Sequence, residues 1–252
     1  MKKYLMTVIA VIAAAGFTSC SNEVDMFEPI NSDKATINLN ITNDNVMLTR
    51  AESSVANPSS WYITVGTNGQ IQVSELSSQK YAAGDYNITV SNYATEAAAI
   101  TANDAYYSGS VSKTLVKGSN TVAVACGKAK NCRVKADLAG LSDFSAISDA
   151  KLTVGQAEVS SRVLNSTNTT GYFYAGTGKT ISYQLDYKYN NAAAAALTGS
   201  ISDPTAATEY QVKVVTNSNG TITLTVTYDT EFTTVTAETI TIDAATGEKS
   251  SN

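Results

Sequence analysis

From Ala35 onward the chain alternates with period two: Ala35, Ile37, Leu39 and Ile41 interleave with Thr36, Asn38, Asn40 and Thr42. That is the pattern of a half-buried strand. Asn43-Asp44-Asn45 reads as a turn, and 46–50 leads into a polar stretch at 51–60. Strands are predicted at 61–65 and 71–76, joined by Gly66-Thr67-Asn68-Gly69, whose Asn-Gly pair tolerates positive φ. Tyr81-Ala82-Ala83-Gly84-Asp85-Tyr86 then enters a strand at 87–91, a glycine and tyrosine placed as at the corners of Ig-like sandwiches. Alanine-rich 95–102 predicts a short helix, and strands at 110–116 and 120–126 complete this group.

A second group opens near Cys132 with a strand at 133–138 and an irregular stretch at 139–150. Strands are expected at 151–154, 157–164, 170–175, 180–189, 209–215, 221–228 and 233–242, with a helical turn or loop at 192–197. In the last strand Val235 and Ala237 have odd parity and Ile240 and Ile242 even parity, so one apolar face requires a bulge or a break. Short strands at this spacing, with almost no helix, indicate an all-β chain of two tandem β-sandwich (Ig-like) domains. The expected division is 34–135 and 136–252.

The N-terminus follows a different logic. Lys2 and Lys3 precede a 13-residue, largely apolar stretch at 5–17, then Thr18, Ser19 and Cys20. A charged start, an apolar run and small residues form a secretory signal, expected at 1–19. A cysteine directly after the cleavage point is the lipidation site of a bacterial lipoprotein, so Cys20 is expected to carry a membrane anchor. The apolar run is shorter than the roughly 18–20 residues of a membrane span. Residues 20–33 hold Glu23, Asp25, Glu28, Pro29 and Asp33, and read as a solvated linker.

Charge and composition narrow the function. Removing 1–19 takes two lysines and no acid from a net charge of −5, leaving −7. With no basic cluster, that balance argues against nucleic acid. The chain has no histidine, which removes Ser-His-Asp and Cys-His catalysis and every histidine-based zinc site. Gly176-Thr177-Gly178-Lys179-Thr180 ends like a phosphate loop, but Phe173 stands where that loop needs glycine, so it reads as a hairpin turn. Asp137, Asp143, Asp149, Asp186, Asp203 and Asp229 show no spacing that favours a catalytic pair. No enzyme activity and no cofactor or metal is expected.

Two further sets of residues are candidates. Cys126 and Cys132 bracket five residues in an exported chain and are read either as a disulfide or as two buried thiols. Tyr183, Tyr187 and Tyr189 share parity in one strand; they could form a platform that stacks on sugars, or fill half-buried sheet positions.

The lipidation signal, Trp61-Tyr62-Ile63-Thr64-Val65, Ala83-Gly84-Asp85-Tyr86, Ala105-Tyr106-Tyr107-Ser108-Gly109 and the Cys126–Arg133 junction together resemble a Bacteroidetes surface lipoprotein domain family of unknown function. More distantly, the two-sandwich layout resembles the fimbrillins, subunits of type V pili. The acids after Cys20 resemble the signal that sends such lipoproteins to the cell exterior. The resemblance implies an outer-membrane lipoprotein with a structural or adhesive role, and pilus subunits or a host ligand as partners; a glycan-binding surface lipoprotein is the alternative. In fimbrillins a trypsin-like protease cuts after an arginine that follows the first strand, and Arg50-Ala51 stands there in this chain.

Overall fold

A computed structural model describes residues 33–42, 58–141, 147–193, 196–216, 221–230, 233–243 and 249–251. In the first half of the chain the strands are β1 (Lys34–Thr42), β2 (Tyr62–Val65), β3 (Ile71–Gln72), β4 (Tyr81–Ala82) and β5 (Gly84–Ser91). Helix α1 (Glu96–Thr101), β6 (Ser108–Leu115) and β7 (Gly118–Ala125) follow. They build two sheets, in order β4-β1-β7 and β3-β2-β5-β6.

Both sheets contribute to one hydrophobic cluster. Ala35 and Ile37 come from β1 and Val122 and Val124 from β7, against Trp61, Ile63, Val65, Ile88, Val90 and Leu115. The inward residues are the apolar phase of the alternation, so period two and burial have the same cause. The tyrosine corner is present: the Tyr86 hydroxyl donates to the Ala82 carbonyl at 3.1 Å. The strand expected at 71–76 stops after Gln72. A 3-10 helix over Val73–Ser78 replaces the rest and carries Leu76 into the core. Helix α1 starts where Thr95 accepts from the Ala98 N–H at 3.1 Å.

The second half contains β8 (Cys132–Asp137), β9 (Ile147–Gln156), β10 (Val159–Leu164), β11 (Thr170–Phe173), β12 (Thr180–Tyr189) and β13 (Ala192–Ala193). These are followed by β14 (Leu197–Ser202), β15 (Glu209–Thr216), β16 (Thr221–Thr230), β17 (Thr233–Asp243) and β18 (Lys249–Ser251). One sheet runs β10-β9-β12 with β13 and β14 on the far side of β12; the other runs β11-β8-β15-β16-β17-β18. A second cluster includes Cys132, Val134, Leu152, Val154, Phe173, Ile181, Leu185, Val212 and Val214, drawn from both.

The chain is therefore all-β with two cores. Because β8 is a single strand from Cys132 to Asp137, a division between 135 and 136 would cut it; the clusters change over between Ala129 and Cys132. Other differences are local. Residues 192–193 form a short strand, entered by Asn190 and Asn191 at φ 50° and 64°, the left-handed pair of a tight hairpin. The Gly176–Thr180 turn crosses from β11 to β12, which lie in different sheets, so it is no hairpin. In β17 the register slips: Val226 faces Glu238 and Thr227 faces Thr236, leaving Ala237 as the extra residue that the parity change requires.

Candidate functional site

The seat of β1 is the most distinctive feature of the first half. β1 runs parallel to β7 from Ala35↔Gly118 to Thr42↔Ala125. Among the described residues, only Lys34 and Ala35 pair on its other side, with Ala82 and Tyr81 of β4. Ala35 and Ile37 are buried, and Leu39 and Ile41 are half-buried against the same core. Side chains of β7 reinforce the ladder. Buried Asn120 donates to the carbonyls of Thr36 at 3.2 Å, Val116 at 2.7 Å and Gly118 at 3.0 Å, and accepts from the Val116 N–H at 2.9 Å. Asn38 donates to the Ser119 hydroxyl at 2.8 Å. Among the described residues its ladder is thus long on one side and short on the other, so withdrawal of the strand would break mainly the β7 ladder.

Withdrawal would require the chain to be cut after β1. Arg50 and Ala51 lie outside the described residues, as does Cys20. Arg50 is nevertheless the only arginine or lysine in 43–57, and the chain holds just two other arginines, Arg133 and Arg162. Both are built into the junction of the two halves. Arg133 pairs with Glu209, donates to the Tyr172 hydroxyl at 3.3 Å and lies 5.9 Å from the Tyr172 ring centre. Arg162 donates to the Ile100 carbonyl at the end of α1. Two asparagines complete the junction. Asn103 donates to the Thr170 carbonyl at 3.1 Å and accepts from the Tyr172 N–H at 3.0 Å. Fully buried Asn131 accepts from the Tyr106 N–H at 3.0 Å and donates to the Asp104 carbonyl at 2.9 Å.

Beside the junction, α1 and β10 enclose a cleft of about 290 Å³. Ile100, Thr101, Ser160, Ser161, Arg162 and Tyr174 are among its lining residues, with Glu158 at the rim. Lys179 bridges Glu158 at 2.5 Å and sits 5.4 Å from the Tyr174 ring centre. Burial raises the Glu96 carboxyl above its ordinary value of 4.5, against the opposing charge of Lys179. Among the residues that line the cleft, one cation, Arg162, stands against one carboxylate, Glu158. Among the described residues no cluster of Cys, Asp or Glu could hold a metal ion, and no helix is long and apolar enough to cross a membrane.

The sugar-stacking platform is not formed. Tyr183 is 2% and Tyr187 7% exposed, both in the second core. They share parity with Ile181 and Leu185, which face inward, while Ser182, Gln184 and Lys188 face solvent. The side chain of Tyr189 lies outside the description. No disulfide joins Cys126 and Cys132; both are free and buried. Cys126 packs in the first cluster and Cys132 in the second, so the five-residue connection separates their side chains rather than bringing them together. Burial pushes their thiols up to about 11 and about 12 respectively, away from thiolate chemistry. The junction arginines and asparagines were not among the residues singled out from sequence.

A model of the family described as a domain of unknown function, DUF4493, matches residues 33–244. No curated protein matches the chain. Among solved structures, the chain is similar to a fimbrial assembly protein from Parabacteroides distasonis, with 10% identity and a TM-score of 0.43 over 86% of this chain and 98% of that one. It is similar to a candidate cell adhesion protein from Bacteroides ovatus, with 9% identity and a TM-score of 0.41 over 82% and 97%. A third, a candidate polysaccharide-binding protein from Bacteroides thetaiotaomicron, shows 8% identity and a TM-score of 0.37 over 85% and 97%. Each likeness is distant.

Proposed function

We propose, from the premise that this chain belongs to the DUF4493 family, that it is a lipid-anchored structural or adhesion component of the outer cell surface in which β1 is a removable strand. The observation that carries this reading is the seat of β1: eight parallel pairs on one side, two antiparallel pairs on the other, and an arginine in the segment that follows. Cys20 holds the chain to the membrane, and the two cores correspond to two domains divided near residue 130.

The energetics suit a switch. Ala35 and Ile37 in full, with Leu39 and Ile41 in part, represent ~4–8 kcal/mol of apolar burial. That is comparable with the whole stability of a domain, so β1 holds its place firmly while the chain is intact. Cutting after Arg50 removes the covalent tie to β2, and loss of β1 exposes the apolar groove and an unpaired edge of β7. A strand from a neighbouring subunit would refill both.

The test is digestion of the folded full chain with an arginine-specific protease. One cut is expected, after Arg50, because Arg133 and Arg162 are held in the junction. High-molecular-weight species should then form, and a synthetic peptide of residues 34–42 should suppress them. A protein cut after Arg50 that remains monomeric and equally heat-stable would end the strand-removal mechanism. Labelled palmitate, entering the wild type and not Cys20→Ala, tests the anchor separately.

Glycan binding is the second reading, and the cleft beside α1 favours it. Hydroxyl groups and a half-exposed Tyr174 ring meet there around a nearly neutral charge set. Tyr174→Ala should then weaken a glycan-array signal that Tyr183→Phe leaves intact.

A further inference from the structure

The first half has two unlike ends. At one end lie Ser91, α1, Cys126 and the junction with the second half. At the other lie the start of β1, the turn from β6 to β7, and β4, brought together by the pairs Lys34↔Ala82, Ala35↔Gly118 and Gly84↔Leu115. This remote end carries Lys34, Lys80, Lys113 and Lys117, all exposed. Among the described residues two acids accompany them. Asp33 is paired with Lys117 at 2.8 Å, and Asp85 accepts from the Thr114 hydroxyl at 2.5 Å. A local excess of positive charge thus stands out on a chain whose net charge is −5.

The same end is amphipathic. Val116, between Leu115 and Lys117, is 59% exposed; among the described residues only one other large hydrophobic, Val163, is exposed. Tyr86 lies edge-on to Tyr81 just behind, with ring centres 6.3 Å apart and its hydroxyl end toward Ala82. Lysines around an exposed valine and the half-buried Tyr86 suit a boundary between water and headgroups.

We propose that this end is a docking face for anionic, phosphate-bearing lipid headgroups, which seats the first half on the membrane and directs the second half outward. The proposal rests on the lipid anchor at Cys20. Twelve residues separate Cys20 from Asp33; fully extended, the thirteen steps between them reach at most ~45 Å, so the tether always keeps this end near the bilayer. Each lysine brought within a Debye length of an anionic surface strengthens partitioning by about fivefold at moderate salt. Val116 adds a small apolar contact.

The experiment reconstitutes the full lipidated chain in vesicles of phosphatidylcholine alone or mixed with phosphatidylglycerol, and follows amine labelling of each lysine by mass spectrometry. On mixed vesicles, Lys34, Lys80, Lys113 and Lys117 should label at least fivefold more slowly than on phosphatidylcholine, on the scale of one lysine–headgroup contact. Lys151 and Lys213, in the second half, should not change, and molar salt should restore the four. Unchanged labelling of the four would overturn the proposal. So would equal protection on both vesicle types, the result if Glu23, Asp25 and Glu28 of the chain's own N-terminal segment cover the face. Flotation with phosphatidylcholine vesicles reads the anchor by itself. Should that fail, the anchor on which the docking face rests is refuted, a result distinct from unchanged labelling of a chain that floats.

Discussion

Replacing Asn131 with alanine should destabilise the junction more than any surface substitution in the connecting segment. Its side chain is fully buried and serves two backbone groups of the 103–107 loop, the Tyr106 N–H and the Asp104 carbonyl. Its own carbonyl accepts from the Ala207 N–H at 3.0 Å, so the residue ties both halves to one point. Alanine keeps that main-chain bond and removes the other two. Both bonds are only part-buried, so losing them costs ~0.5–1.5 kcal/mol each, ~1–3 kcal/mol together. For a chain of this size that corresponds to a fall in Tm of roughly 2–12 °C. Asn131→Asp retains an acceptor for Tyr106 but sets a buried carboxylate against the Asp104 carbonyl, so at neutral pH it should be at least as destabilising as alanine. The assay is thermal unfolding by calorimetry, on the same preparations used for size-exclusion chromatography. If Asn131→Ala melts within about 2 °C of the wild type, water or a shifted loop satisfies those groups, and the junction does not depend on this side chain.

Three other outcomes are expected. Gly109→Ala should lower the urea midpoint, because a Cβ there would stand 2.0 Å from the Ala125 carbonyl oxygen and 3.1 Å from Cys126 Sγ; Gly127→Ala, with nothing within 4 Å, should not. Overpacking against backbone costs ~1–3 kcal/mol, so an unchanged midpoint for Gly109→Ala would show that β6 and β7 are not in this contact. Thiol titration should find no reactive cysteine in the native mature domain and two, Cys126 and Cys132, in denatured unreduced protein; a count of zero after denaturation would reveal a bridge. Glu96 binds its proton more tightly in the fold than in the unfolded chain, so it contributes stability below its ordinary value of 4.5 that is lost as pH rises through its higher folded value. Glu96→Gln should therefore gain on the wild type as pH rises through that window, and parallel Tm–pH curves would refute the assignment.

Local alternation identified most strands, because period two and burial are the same fact seen twice. β12 was found with its bounds intact, and the apolar phase of Ile181 and Leu185 already indicated which way Tyr183 and Tyr187 would face. Their ring chemistry suggested a surface role that this parity opposed. The choice between a bridge and two buried thiols stayed open for a different reason: spacing along the chain fixes how close two residues are, not the sides of the connection on which their thiols point. The pairing of β1 with β7 was not legible at all. Parallel neighbours more than 80 residues apart leave no trace in a local window. Arg133 and Arg162 left a signal that could have been followed, a long cation inside each of two strands where a surface lysine would have served as well.

The parallel ladder of β1 also sets the order of events when the chain is made. Its partner begins at Gly118 and ends at Ala125, and no tight turn links the two strands. β1 emerges first from any secretion channel, yet its ladder stays incomplete until more than 80 further residues have followed it. Closing so long a loop carries a large entropic cost, so this contact forms late and raises the contact order of the whole first half. Throughout that interval the apolar strand is without its seat, because β7 has not yet followed it. When chains are crowded, a neighbour with β7 in place and β1 not yet docked offers one, against the effective concentration of the strand's own partner. Synthesis itself thus provides an opportunity for strand swapping between copies.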